Sequence, residues 1–354
     1  MIKLFVIDDS ALVRNKIKEI FSDIEDIEII GSAPNPVDAF DFFKIVGLPD
    51  VFILDIEMPK MDGLTFLEMI ATQKPIPVII CSTIVKSGSS FAIDAMRMGA
   101  VDIVLKPTTK IDSFFDEFKD EFIAKVRAAA KSKVYFINNI KRVSKSRVLS
   151  DFEPSSSVKV ASTLPPSKKI VAIGSSTGGV QAIEEILKNL KANHPPIVIT
   201  QHMPEGFTYS FAKRLDEILI YSNVKEAENG DVLMHGRVLI APGGKHMEIK
   251  RDGVQYRVVL KDFPKVNSHK PSVDVLFNSM SKEVKSLGIG ILLTGMGDDG
   301  AKGLLEMKKS GAKTYAQNKE SCVVYGMPKK AVEMGAVDKV LDLKELAKII
   351  NSAR

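Results

Sequence analysis

Two sets of residues in this 354-residue chain have the types and spacing to do chemistry. The first is acidic. Asp8, Asp9 and Asp55 are joined by a hydroxyl at Ser82 and an ammonium at Lys106. Clustered carboxylates repel one another and need a cation. A small hard one such as Mg²⁺ takes carboxylate and carbonyl oxygens. Phosphoryl transfer to an aspartate needs that metal and a fixed cation to neutralise the charge developing on the transferred oxygens. Lys106 can supply the fixed charge. The second set is nucleophilic. Gly174-Ser175-Ser176-Thr177-Gly178-Gly179 contains Gly-x-Ser-x-Gly, a form that turns sharply from strand to helix and displays its serine beside backbone N–H groups. The same text fits a glycine-rich loop cradling phosphate at a helix N-terminus, and the loop alone does not separate the two. His202 and the pair Asp298-Asp299 favour hydrolysis. A serine hydroxyl is a poor nucleophile until a positioned imidazole takes its proton, and a carboxylate orients that imidazole.

Both sets need strands to deliver them to one edge. In the front half the strand patterns are Lys3–Ile7, Ile27–Ile30, Val51–Leu54, Val78–Cys81 and Ile103–Leu105. Amphipathic stretches such as Ala11–Phe21 and Leu64–Ala71 separate them, and Ile111–Lys131 reads as a further helix. This alternation predicts a doubly wound parallel sheet, whose ligands gather at the carboxyl ends of the strands. Asp8, Asp55, Ser82 and Lys106 all fall at such ends. A second alternating set begins at Lys169. Its strands are Ile170–Ile173, Ile197–Thr200, Val238–Ala241 and Ile289–Leu293, and its helices Val180–Leu190, Ala301–Lys309 and Lys344–Asn351. A hairpin is expected at Met247–Leu260, with its turn at Arg251-Asp252-Gly253. Ser176, His202 and the two aspartates follow three of these strands. The strand argument does not choose between Asp298 and Asp299. Each residue alone has a blander reading, as a helix cap or a structural hydrogen-bonder. Their convergence argues against it.

The fold class is therefore α/β, with two doubly wound parallel-sheet domains. Between them, residues from about 138 to 167 are basic and serine-rich, with Pro154, Pro165 and Pro166, as in an interdomain linker. The net charge of +5 conceals an asymmetry of about −5 in residues 1–110 and about +7 in residues 168–354. No dense Lys/Arg stripe or zinc-finger spacing points to nucleic acid. No apolar run suits a signal peptide or a membrane span, which predicts a cytoplasmic protein without direct membrane insertion. Cys81 and Cys322 lie far apart in apolar surroundings and read as buried thiols in a reducing compartment.

Val6-Ile7-Asp8-Asp9-Ser10, Leu54-Asp55-Ile56-Glu57-Met58-Pro59 with Asp62-Gly63, Ser82, and Lys106-Pro107 resemble the response-regulator receiver family. The resemblance implies a flavodoxin-like domain with Asp55 as phospho-acceptor. It further implies Mg²⁺ held by Asp8, Asp9, Asp55 and the Glu57 backbone carbonyl, with Ser82 and Lys106 on the phosphate. Ile103 departs from the aromatic switch residue of many receivers. The rest of the chain is similar to the chemotaxis protein-glutamate methylesterase/glutamine deamidase (CheB) family. Besides the serine loop, the matching text is Thr200–Pro204, Ala241–Met247, His269–Leu276, Leu293–Gly300 and Cys322–Pro328. That resemblance implies Ser176 as nucleophile, His202 as general base, Asp299 rather than Asp298 as the orienting acid, and the Met296 N–H in the oxyanion hole of a Rossmann-like α/β domain that needs no cofactor. Asn318 stands where the family is expected to carry an aspartate. The boundaries expected are 1–125 for the receiver, 126–167 for the linker and 168–354 for the catalytic domain. The implied activity is hydrolysis of glutamate γ-methyl esters, and deamidation of glutamines, on chemoreceptors (methyl-accepting chemotaxis proteins), controlled by a chemotaxis histidine kinase. A nucleotide-binding effector and a non-enzymatic receiver adaptor or transcription factor are the rival classes.

Overall fold

A computed structural model describes residues 1–83, 88–106, 111–132 and 169–353. Pro107 and residues 133–167 of the expected linker lie outside them. The chain divides into two compact units, Met1–Leu149 and Ser150–Arg354.

The first unit alternates strand and helix from its start: β1 (Ile2–Ile7), α1 (Ala11–Phe21), β2 (Ile27–Ala33), α2 (Pro36–Val46), β3 (Val51–Leu54), α3 (Gly63–Gln73), β4 (Val78–Thr83), α4 (Gly88–Arg97), β5 (Asp102–Lys106) and α5 (Ile111–Lys131). Position 125 lies inside α5. The sheet order is β2-β1-β3-β4-β5, all parallel, with β1 and β3 buried between layers of helix. Continuous apolar runs such as Val51–Leu54 suit strands covered on both faces. Local signals set the helix starts. The Ser10, Asn35 and Asp62 side chains accept backbone N–H bonds at the first turns of α1, α2 and α3. Register then sets the site, because Ile7 of β1 pairs with Leu54 of β3. The next residues, Asp8 and Asp55, therefore emerge side by side.

The second unit contains β6 (Ile170–Ser175), α6 (Gly179–Lys188), β7 (Ile197–Gln201), α7 (Phe207–Ile218), β8 (Asn223–Glu226), β9 (Arg237–Ile240), β10 (His246–Asp252), β11 (Gln255–Lys261), α8 (Val273–Glu283), β12 (Gly288–Leu292), α9 (Ala301–Lys309), β13 (Lys313–Gln317), α10 (Met327–Glu333), β14 (Lys339–Leu341) and α11 (Leu343–Ser352). Seven parallel strands run in the order β14-β13-β12-β6-β7-β9-β8, and β10-β11 form a separate antiparallel hairpin. The strand order reverses at β6, which lies between β12 and β7. In open α/β sheets such a switch point is where ligands bind. Leu292 pairs with Gly174 and Ser175 with Gln201, so the loops carrying Ser176, His202 and Leu293–Gly300 leave the sheet together.

Candidate functional sites

In the first unit, Asp8 and Asp55 are buried and Asp9 is exposed, and one carboxylate oxygen from each lies within 4.8 Å of the others. The Lys106 Nζ reaches both buried acids, at 2.7 Å from Asp8 Oδ2 and 2.5 Å from Asp55 Oδ2. β4 and β5 pair in register, which brings buried Ser82 to the same edge as Lys106. Burial pushes the Asp8 carboxyl up to about 6 against the pull of Lys106, and the neighbouring Asp55 charge adds to the rise. Burial raises Asp55 as well, again opposed by Lys106. Burial alone would lower the Lys106 ammonium, but its neighbours Cys81, Asp8 and Asp55 outweigh it and hold it above the usual lysine value. One ammonium thus serves two buried carboxylates, and a third carboxylate lies close to both acids. The residual negative charge and the all-oxygen donor set fit a small hard cation. Sequence reasoning missed Arg14 here. Its guanidinium donates to the Asp8 and Asp9 carbonyls, at 2.6 and 3.1 Å, and pins the turn that presents both acids.

In the second unit the two adjacent serines have different surroundings. Ser175 is fully buried, and its hydroxyl donates to Gln201 Oε1 at 2.7 Å. Ser176 is partly exposed, and its hydroxyl makes no hydrogen bond among the described residues. Its backbone is held on three sides. Its N–H donates to the Thr294 carbonyl, and its carbonyl accepts from Gly179 N–H and from Gln201 Nε2. Gly178 takes a φ of +79° before α6, a conformation that L side chains rarely adopt. The Thr294–Met296 loop presses on Ser176 from β12. A Cβ at Gly295 would come within 2.8 Å of the Ser176 Cβ. The Met296 N–H in that loop meets no acceptor among the described residues.

His202 donates from Nε2 to Asp299 Oδ2 at 2.8 Å, while its Nδ1 is buried with no partner. Asp298 is exposed, whereas Asp299 is 1% exposed. The geometry therefore separates the two aspartates where strand position did not. Asp299 accepts three further bonds of 2.7–2.8 Å, from the Val273 N–H, the Ser272 hydroxyl and the Asn267 amide. Burial alone would raise this carboxyl. The bond and charge of His202, with Asn267 and Val273, outweigh it and hold the group far below the usual carboxylate range. The imidazole of His269 stacks on that of His202, with centroids 3.6 Å apart and planes 15° from parallel. Asn267, His269 and Ser272 were not assigned roles from the sequence. The signals present were the family resemblance of His269–Leu276, which assigned them no role, and Ser272 ahead of an apolar run, which does cap α8.

His194 is buried away from this cluster, between the Pro195 carbonyl and the Ser222 hydroxyl, and His246 bonds the Pro264 carbonyl. Cys81 and Cys322 are free and buried. No described helix is long and apolar enough to cross a membrane.

Comparison with known proteins matches residues 171–350 to the CheB methylesterase family model and residues 4–114 to the response regulator receiver domain. A protein-glutamate methylesterase/protein-glutamine glutaminase 2 from Chromobacterium violaceum is 45% identical, over 99% of each chain. A protein of the same name from Albidiferax ferrireducens is 46% identical, over 98% of each. The crystal structure of the Thermotoga maritima CheB methylesterase catalytic domain is 42% identical. It covers 53% of this chain and 99% of its own, with a TM-score of 0.51.

Proposed function

This chain belongs to the CheB methylesterase family, and from that premise we propose that it hydrolyses glutamate γ-methyl esters and deamidates glutamines on chemoreceptors, under control of a phosphorylated receiver. Its partners are those of chemotaxis signalling, a kinase and receptors. The observation that carries the catalytic reading is the His202–Asp299 bond at 2.8 Å. It leaves the buried Nδ1 of His202 unpartnered in a unit whose neighbouring strand is followed directly by a partly exposed Ser176.

In this reading Asp299 stays ionised and fixes the tautomer with the proton on Nε2, so Nδ1 is the base. Ser176 Oγ attacks the ester carbonyl and gives its proton to Nδ1. Charge develops on the former carbonyl oxygen, where the Met296 N–H is the donor we assign; one such donor contributes on the order of 3 kcal/mol. Collapse expels methoxide, which leaves as methanol with the proton from His202. Water then attacks the acyl-Ser176 ester, again through His202, and releases the glutamate side chain. A glutamine follows the same path and releases ammonia. The hydroxyl-to-Nδ1 hydrogen bond is absent from the free protein. Catalytic bonds of this kind commonly tighten only when substrate is bound.

For control, Asp55 is the phospho-acceptor in our reading, with Ser82 and Lys106 contacting the phosphoryl group. Mg²⁺ would be held by Asp8, Asp9, Asp55 and the Glu57 carbonyl, and when bound it neutralises charge on the phosphoryl donor. The Asp55 Oδ2 attacks the phosphorus of the donor, the bond from phosphorus to the donor's leaving group breaks and that group departs, while the Lys106 ammonium, already 2.5 Å from Asp55, stays with the transferred oxygens.

Methanol release from methylated receptor tests both halves. Release is expected to fall at least ~10⁴-fold in Ser176→Ala. In the wild type it is expected to rise with a small-molecule phosphodonor and Mg²⁺, and this response is absent in Asp55→Ala. Full release from Ser176→Ala would remove the nucleophile from this account.

A further inference from the structure

Residues 266–269 form a tight hairpin turn. Val266 and His269 exchange backbone hydrogen bonds, N–H to carbonyl, at 3.0 and 2.9 Å. The two residues between them, Asn267 and Ser268, have φ of +50° and +67°. Positive φ at both central positions is the type I′ pattern, which asparagine tolerates better than most residues. This one turn touches both members of the His202–Asp299 pair. The Asn267 Nδ2 donates to Asp299 Oδ1 at 2.8 Å and to Asp274 Oδ2 at 2.7 Å. The His269 ring lies flat on the His202 ring at 3.6 Å.

The hydrogen bond to Asp299 fixes one atom of the His202 ring but not the ring plane. A second, flat contact is needed to set the ring plane, and the plane decides where the unpartnered Nδ1 points. We propose that the 266–269 turn is the positioning device of this site, in which Asn267 anchors the Asp299 carboxylate and His269 holds the His202 ring plane by stacking. In this role both residues act through the His202–Asp299 pair, and neither is the group that takes the serine proton. An aromatic face also suits the task electrostatically. When His202 takes the serine proton it becomes a cation lying on a π surface, which is attractive.

The proposal rests on the hydrolase reading above, and its test separates the two. Full-length protein is compared as wild type, His269→Ala, His269→Phe and Asn267→Ala, by receptor demethylation kinetics. The same four proteins, labelled with ¹⁵N in their histidines, are compared by ring-nitrogen NMR. His269→Ala is expected to lower kcat ~10-fold with KM within about twofold, since misplacing a catalytic group costs turnover rather than binding. His269→Phe keeps the stack and is expected to restore kcat to within about threefold of wild type. In the spectra, the His202 ring resonances, assigned with His202→Gln, are expected to show one Nε2–H tautomer in wild type and His269→Phe. In His269→Ala and Asn267→Ala the ring or the carboxylate turns away, the Nε2–H bond to Asp299 is weakened, and averaged tautomers are expected. Equal loss in His269→Phe and His269→Ala, or a change confined to KM, would overturn the stacking role. An unchanged His202 tautomer in both alanine variants would overturn it as well. If no protein hydrolyses receptor esters, the hydrolase reading fails on its own, and the tautomer comparison still decides whether this turn orients His202.

Discussion

Asp8 and Asp299 are both buried carboxylates beyond the end of a parallel strand, yet their proton affinities move in opposite directions. Asp299 receives donors from four residues at 2.7–2.8 Å, and protein groups take the place of water around its charge. Asp8 shares one ammonium with Asp55, and burial pushes it up to about 6. The difference is one of completeness. The pocket around Asp299 is assembled before any ligand arrives, as preorganised electrostatics require. The pocket around Asp8 and Asp55 is short of positive charge, so its energy changes most when a cation or a phosphoryl group arrives. A catalytic site gains from the first arrangement and a switch from the second.

The comparison breaks most severely at Asp299. Asp299→Asn keeps the size and most acceptor capacity, but an amide cannot hold the Nε2–H tautomer as a carboxylate does. The expected outcome is a ~10⁴-fold loss of kcat with the fold retained, as methanol release and circular dichroism would show. A loss below tenfold would mean that the carboxylate charge is idle and the pocket is merely structural.

Asp8 should respond with the opposite sign. Its folded carboxyl binds a proton near pH 6, against an ordinary value of 3.8, so the folded state holds the proton more tightly than the unfolded one. Stability of the metal-free first unit should therefore fall as pH rises from about 4 through 6, by at most roughly 3 kcal/mol. Asp299 lies below its ordinary value. Its contribution to the second unit is present above the ordinary 3.8 and lost as pH falls below it. Hydrogen exchange on the whole chain, read separately in each unit, distinguishes the two slopes. Asp8→Asn should flatten the first slope, stabilise the metal-free unit and abolish its response to Mg²⁺. Destabilisation by Asp8→Asn near neutral pH would show that the pocket is already balanced.

The two units were not equally legible in the sequence. In the first, β3 and α1 have the bounds expected, because the four-residue apolar run Val51–Leu54 and the amphipathic Ala11–Phe21 leave little choice. Its acids follow strands directly, so knowing the strands locates the site. In the second, Ser176 and His202 also follow strands, but Asp299 is seven residues past the end of β12. Its supports come from a turn and a helix start in 266–274. Nothing periodic marks such residues. Their role exists only once a loop has folded onto another loop. The edge strands β8 and β14 were missed for a related reason: they are short and half-exposed, and carry charged residues where a buried strand would show an apolar run.

Asn318 offers the mildest comparison, because it departs from family expectation without touching either pocket. Its Oδ1 accepts two bonds, from the Ser321 hydroxyl at 2.5 Å and the Ser321 N–H at 3.1 Å. Ser321 in turn accepts from Gln317, whose Oε1 receives the Thr294 N–H at 2.7 Å beside the loop that presses on Ser176. The asparagine side chain is used only as an acceptor, and its Nδ2 makes no bond among the described residues. An aspartate accepts the same two bonds, more strongly for its charge and at more cost for its half-burial. Asn318→Asp should therefore move stability by no more than about 0.5 kcal/mol and activity by less than about twofold. Ser321→Ala, which removes the shared hydroxyl, should cost about 1 kcal/mol by denaturant unfolding. If Asn318→Asp instead lowered kcat as much as a change at the 266–269 turn, the Gln317–Thr294 connection would be setting the Ser176 loop. The completeness of the second pocket would then extend to the far side of the sheet edge.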